Sequence, residues 1–247
     1  MSTEGPLYKD LGPNYQCLNP AHPYSQEIAK SIRTYTKKFS PKDVPQFVDL
    51  ASICENPKVF KTVVDVLVAR YRAFSKPVTH IAGYESRGFL LAAPVAIALG
   101  VPCLMLRKCA KNCGVLVVSD ELHKEYTEAV AETMTLRVGC VKEGDNVVLL
   151  DDLMATGGTA VTGFQLVMGL GASVAEFATI TELKGLQGVA NIRGKEGGKY
   201  VDIPLFSMID EESITVANNS DPKDYKEESR VIHLKRAEEV RRTYNLT

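Results

Sequence analysis

Apolar runs and helix-spaced patterns alternate along this chain, most regularly from residue 56 to residue 209. Asn56-Pro57 forms a helix cap followed by a residue favoured at the first helical position. Val59, Phe60, Val63, Val64, Leu67, Val68 and Tyr71 then fall on one helical face. After Pro77, residues 78–83 read as a strand. Residues 88–99 read as an apolar helix closed by Gly100, and residues 101–106 as the next strand. Residues 146–150 read as a strand, with the unbroken apolar run Val147-Val148-Leu149-Leu150 giving the pattern of burial on both faces. A helix stripe follows at Val161, Phe164, Leu166, Val167 and Leu170. Residues 173–182 read as a strand, 183–189 as a short helix and 204–208 as a last strand. Strands alternating with helices predict an α/β fold with a mostly parallel sheet.

The flanking segments differ. The first two dozen residues are rich in Gly, Pro and Asn with little periodicity, which predicts a surface extension. Ile28, Ile32, Tyr35 and Phe39 make a helix stripe, and Pro41 and Pro45 then force an extended, shaped loop. Between 107 and 137 the chain turns polar, with residues 115–118 and 133–138 as the arms of a hairpin. A long polar excursion of this kind predicts a lid. From Asp210 onward the chain is charged and largely aperiodic.

Composition narrows the functional classes. With 247 residues, 45% hydrophobic and 24% charged, the chain has the make-up of a globular domain with appendages. A net charge of −1 argues against a nucleic-acid binder. No apolar run reaches membrane length, and a cytoplasmic location is expected by default. The six cysteines include no Cys-x-x-Cys and the four histidines are scattered. Reduced thiols and no zinc site are therefore expected.

The chemistry concentrates where strands meet helices. After the apolar run at 147–150 come Asp151-Asp152-Leu153-Met154-Ala155-Thr156-Gly157-Gly158-Thr159. Glycines turn successive N–H groups toward one point, the helix start adds more, and two threonines add hydroxyls; together they make a nest for a phosphate dianion. The two carboxylates would repel that phosphate if they faced it. They are better suited to a sugar diol, directly or through Mg²⁺. A Gly-Gly alone would equally fit an ordinary strand–turn–helix connection. A second strand-to-helix junction, Gly83-Tyr84-Glu85-Ser86-Arg87-Gly88, has the same anion-binding geometry with an arginine added. Arg107, Lys108 and Lys111 cluster after the next strand.

The string of apolar residues, Asp-Asp-x-x-Ala-Thr-Gly-Gly-Thr, resembles the signature of the type I phosphoribosyltransferases. The resemblance implies a central mostly parallel sheet flanked by helices, with a hood segment and a flexible lid hairpin. It implies that Ala155, Thr156, Gly157, Gly158 and Thr159 grip the 5-phosphate of phosphoribosyl pyrophosphate (PRPP), while Asp151 and Asp152 hold the ribose hydroxyls. It further implies a pyrophosphate loop at Glu85, Ser86 and Arg87 with a non-proline cis peptide at Glu85–Ser86. The order of Glu85-Ser86-Arg87, Arg107-Lys108, Glu125-Tyr126 and the acidic pair is most similar to the adenine-using branch of the family. That branch implies base contacts from Gln46, Phe47, Val48 and Leu153, a lid acid–base group at Glu125 supported by Tyr126, and Mg²⁺ as cofactor. Its implied ligands are adenine, PRPP, AMP and pyrophosphate, and a homodimer is expected.

The domain plan that follows is an N-terminal extension at 1–24 and a hood at 25–55. The core spans 56–209 with its lid at about 107–137, and a C-terminal extension covers 210–247. Rival readings are another base specificity, a non-catalytic PRPP-sensing regulator and an inactive scaffold. The regulator predicts an appended basic or helix-turn-helix face, and the scaffold predicts loss of the acidic pair or lid acid. The sequence carries neither feature.

Overall fold

The computed structural model describes residues 6–35, 47–108, 113–120 and 133–214, with three single positions further on at 236, 239 and 242. In chain order the elements are β1 (Tyr8–Gly12), β2 (Tyr15–Leu18), α1 (Pro23–Ser31), β3 (Arg33–Tyr35), β4 (Phe47–Asp49), α2 (Ala51–Cys54), α3 (Pro57–Arg72), β5 (His80–Tyr84), α4 (Gly88–Leu99), β6 (Cys103–Lys108), β7 (Leu116–Val118), β8 (Met134–Arg137), β9 (Asn146–Leu150), β10 (Leu153–Met154), α5 (Gly158–Gly169), β11 (Ser173–Glu182), α6 (Gly188–Gly194) and β12 (Leu205–Ile209).

The main sheet has the order β1-β2-β12-β11-β9-β5-β6-β8-β7, with β10 pairing to β11. Its centre, from β2 to β6, is parallel. Its margins are antiparallel hairpins, β1–β2 at one edge and β7–β8 at the other. The strand at 146–150 is fully buried because the sheet is covered on both sides. Side chains alternate across a strand, so β9 divides its residues: Val148 and Leu150 join one core with Ile81, Leu67 and Ala92, under α1, α3 and α4. Val147 and Leu149 join the other with Tyr84, Phe164 and Phe177, under α5 and α6.

Three expectations need correction. The N-terminal stretch is not a surface appendage. β2 pairs with β12 inside the main sheet, and Cys17 and Leu18 are fully buried. Its strands are too short, and too broken by Gly12 and Asn14, to display a period. The helix expected from residue 25 stops at Ser31, and residues 33–35 instead pair with β4 in a separate ribbon. The short helix expected at 183–189 is a single 3₁₀ turn, Lys184–Leu186, and the α-helix begins only at Gly188.

The strand order matters for function. From β5 the chain moves outward to β6, whereas β9, β11 and β12 build from the other side of β5. The connection after β5 packs on one face and that after β9 on the other. Their C-terminal ends therefore flank a crevice, the position at which open α/β sheets bind ligands.

Candidate active site

At this crevice the ends of β5, β6 and β9 converge. Glu85, Ser86, Arg87, Lys108, Met134, Asp151, Asp152 and Thr159 line a cleft of about 220 Å³. All but Met134 were expected from sequence; Met134 arrives from β8, a strand whose register no local motif announces.

Both helices that open on the cleft start without a side-chain cap. By contrast, α3 is capped by Asn56, whose Oδ1 accepts from Val59 N–H at 3.3 Å. Uncapped first-turn N–H groups carry the positive end of the helix dipole and can meet an anion, although at α4 the Phe89 and Leu90 N–H groups already donate to the Ser86 and Arg87 carbonyls at 3.3 and 3.0 Å. Gly88 starts α4 because a Cβ there would stand 2.4 Å from the Leu150 carbonyl; only glycine lets the helix lie against the end of β9. The Glu85–Ser86 peptide is cis, as the resemblance implied.

Glu85 does not face open solvent. Its carboxylate accepts the Lys108 backbone N–H at 3.0 Å, and Arg107 Nε lies 3.8 Å away. It thus ties the turn after β5 to the end of β6. Asp151 accepts the Asp152 N–H at 2.9 Å on its own side chain. Burial first, and the neighbouring Asp152 carboxylate second, hold Asp151 well above the ordinary carboxylate range, against a smaller lowering effect from Arg87. Asp152 itself accepts from Arg87 Nε.

Gly157 adopts the left-handed conformation at φ 84°. Its missing side chain does not point at a ligand: a Cβ would meet the Gly188 carbonyl and Ile192 at 2.7 Å. Glycine is required here by α6 packed behind the loop. Ala155, Thr156 and Gly158 complete the same turn.

Beside the cleft, Leu50, Cys54, Leu90 and Ile180 line an apolar pocket that shares Arg87 and Asp152 with it. The α2 segment is thereby brought against Asp152. Phe47 and Val48 sit half-buried on β4, and Leu153 on β10; Val48 and Leu153 pack on the same core, and none of the three lines the 220 Å³ cleft. Gln46, Lys111, Glu125 and Tyr126 lie outside the described residues. Among the described residues no group of three or more His, Cys, Asp or Glu is arranged to hold a metal ion, and no helix is long and apolar enough to cross a membrane.

The phosphoribosyl transferase domain family matches residues 49–217. The chain is 40% identical over 168 residues to adenine phosphoribosyltransferase of Marinomonas sp. (strain MWYL1), covering 68% of this chain and 87% of that one. Among solved structures, adenine phosphoribosyltransferase from Leishmania donovani superposes with a TM-score of 0.88 at 39% identity, over 94% of this chain and 98% of that one. The enzyme from Trypanosoma brucei, solved in complex with AMP, pyrophosphate and ribose-5-phosphate, gives a TM-score of 0.87 at 37% identity, again over 94% and 98%. The chain belongs to the phosphoribosyltransferase family. Within it, these relatives set it beside the adenine phosphoribosyltransferases.

Proposed function

We propose that this chain transfers the phosphoribosyl group of PRPP to adenine in purine salvage, giving AMP and pyrophosphate. The observation that carries the reading is the pair of uncapped helix starts at the ends of adjacent strands β5 and β9, with two carboxylates between them. PRPP is an anion at both ends of a diol-bearing sugar, and this arrangement is complementary to it.

In this reading Ala155 to Thr159 receive the 5-phosphate. Ser86, Arg87, Arg107, Lys108 and Lys111 receive the pyrophosphate, with Glu85 fixing the turn. Asp151 and Asp152 hold the ribose hydroxyls and favour positive charge on the sugar as the leaving group departs. Arg87, paired with Asp152, is the cation a diphosphate would compete for, and that competition releases the carboxylate to the diol. Gln46, Phe47, Val48 and Leu153 take the base. Glu125 on the lid handles the purine ring proton, Tyr126 supports the closed lid, and closure excludes water. Two adjacent carboxylates are too few protein ligands for a resident ion, so Mg²⁺ fits Asp151 and Asp152 only in company with the substrate. When bound it supplies charge neutralisation to the diphosphate.

A homodimer through α4 belongs to the same reading. Gly88–Leu99 contains no charged residue, yet one side is uncovered: Leu90 is 49% and Ile97 81% exposed, with Met105 of neighbouring β6 at 51%. A helix apolar all round is normally buried, and a second copy would cover it. A cytoplasmic setting accords with Cys17, Cys54, Cys103 and Cys140 remaining thiols.

The test is pyrophosphate release from PRPP with each base offered separately. Adenine presents an acceptor at N1 and a donor at position 6; hypoxanthine and guanine present the reverse. Two opposed buried pairs at about 1–3 kcal/mol each should suppress the wrong base by roughly 10²–10⁴-fold in kcat/KM. Comparable kcat/KM for adenine and either rival rejects the assignment. Arg87→Ala should weaken pyrophosphate and PRPP binding far more than AMP binding; equal losses would move the pyrophosphate elsewhere.

A further inference from the structure

The loop at 155–159 has a back as well as a front, and the back is occupied. Asn191 on α6 donates its Nδ2 to the carbonyl of Thr156 at 3.1 Å and to that of Leu186 at 3.2 Å. Both partners are carbonyl oxygens, so only the nitrogen end of the amide can face them. In a planar trans peptide the C=O and the next N–H point in opposite directions. Holding the Thr156 carbonyl toward α6 therefore turns the Gly157 N–H away from α6. The preceding peptide is set in the same sense: the Ala155 carbonyl lies only 2.5 Å from where a Cβ on Gly188 would stand. The Thr156 N–H is thereby turned away from α6 too. Two successive donors of the loop owe their direction to this helix.

The helix is itself fixed at both ends. Its Val189 N–H donates to Glu182 Oε1 at 3.3 Å, and the other oxygen of Glu182 accepts from Tyr15 Oη on β2 at 2.6 Å. Glu182 and Tyr15 are both buried. At the other end, Arg193 donates to the carbonyls of Tyr200 at 2.7 Å and Asn14 at 3.1 Å. The β1–β2 hairpin thus reaches α6 at both ends, directly through Asn14 and by way of Glu182 through Tyr15.

We propose that Asn191 is a positioning residue for the 5-phosphate, and that Glu182 and Tyr15 hold its helix, so that the N-terminal hairpin supports phosphate recognition. The inference rests on reading residues 155–159 as the phosphate cradle.

The test compares ligands by calorimetry on the full chain. Asn191→Ala should weaken ribose 5-phosphate and AMP by roughly three- to ten-fold, the loss expected of one hydrogen bond. It should raise KM for PRPP to a similar extent with little change in kcat, and leave the pyrophosphate Kd unchanged. Because Asn191 is exposed, the melting temperature should stay within about 2 °C. Asn191→Asp, which sets a carboxylate against two carbonyls, should be worse than Asn191→Ala; Tyr15→Phe should act in the same direction as Asn191→Ala.

Thr159→Ala separates the two levels of the claim. If it weakens ribose 5-phosphate while Asn191→Ala and Tyr15→Phe stay within twofold of the parent, the positioning role is wrong and the cradle stands. If Thr159→Ala also leaves ribose 5-phosphate unaffected, the cradle is misassigned and this inference falls with it. Proportionate loss of pyrophosphate affinity in Asn191→Ala would mean a general loosening and would overturn the proposal.

Discussion

Asp151 is kept in the protein against its own stability. Burial and Asp152 raise its pKa above the ordinary 3.8, so between that value and its folded pKa the native state holds a proton that the unfolded chain has released. Stability therefore falls as pH rises through this window, and above it the penalty is complete. Asp151→Asn keeps an acceptor for the Asp152 N–H and removes the charge. The ligand-free variant should melt about 2–4 °C above the parent at pH 7.5, with the gain shrinking as pH approaches 4, while losing transfer activity. A scanning-calorimetry series showing no gain, or a larger gain in acid, would contradict this. Asp151, Asp152 and the glycine-rich turn were legible because their chemistry is written in consecutive residues. The pairing of Arg87 with Asp152 was not, since 65 positions separate them and only the crevice between β5 and β9 joins them. Asn191 and Glu182 were invisible for the same reason: an amide and a carboxylate carry no local signature of what they hold.

Among the elements, α3 and β11 are locked by a buried ion pair. Arg70 Nη2 donates to Glu176 Oε2 at 2.5 Å and its Nε also reaches that carboxylate, where Glu176 is fully buried. The guanidinium lies 4.8 Å from the Tyr8 ring and 4.1 Å from the Phe206 ring, so it also ties β1 to β12. Burial pushes the Glu176 carboxyl up even with Arg70 beside it. Arg70→Met would leave that carboxylate without its counter-charge, and a loss of about 3–5 kcal/mol is expected in urea unfolding. A loss under about 1 kcal/mol would mean that solvent reaches Glu176 in the variant. The strand–helix alternation from 56 to 209 was readable because elements buried on both faces leave long apolar runs. β1 and β2 were not, because five- and four-residue strands around a tight turn are too short for a period to emerge.

Among the described residues the most apolar helix, α4, is half uncovered. Ile97→Asp, at the most exposed large apolar side chain of α4, should convert the proposed dimer to a monomer in size-exclusion chromatography with light scattering. An unchanged mass would remove α4 from the interface. The order of the sheet has another consequence, in time. Tyr15 pairs with Leu205, so most of the chain must be made before β2 meets its parallel partner. At roughly 5–20 residues per second of synthesis, that hairpin waits about ten to forty seconds. During the wait Cys17 and Leu18, destined for full burial, have no β12 to lie against. The edge that finally supports α6 is thus among the last to close. A chain arrested on the ribosome before residue 205 should leave its first twenty residues open to protease, even where the centre of the sheet has already formed.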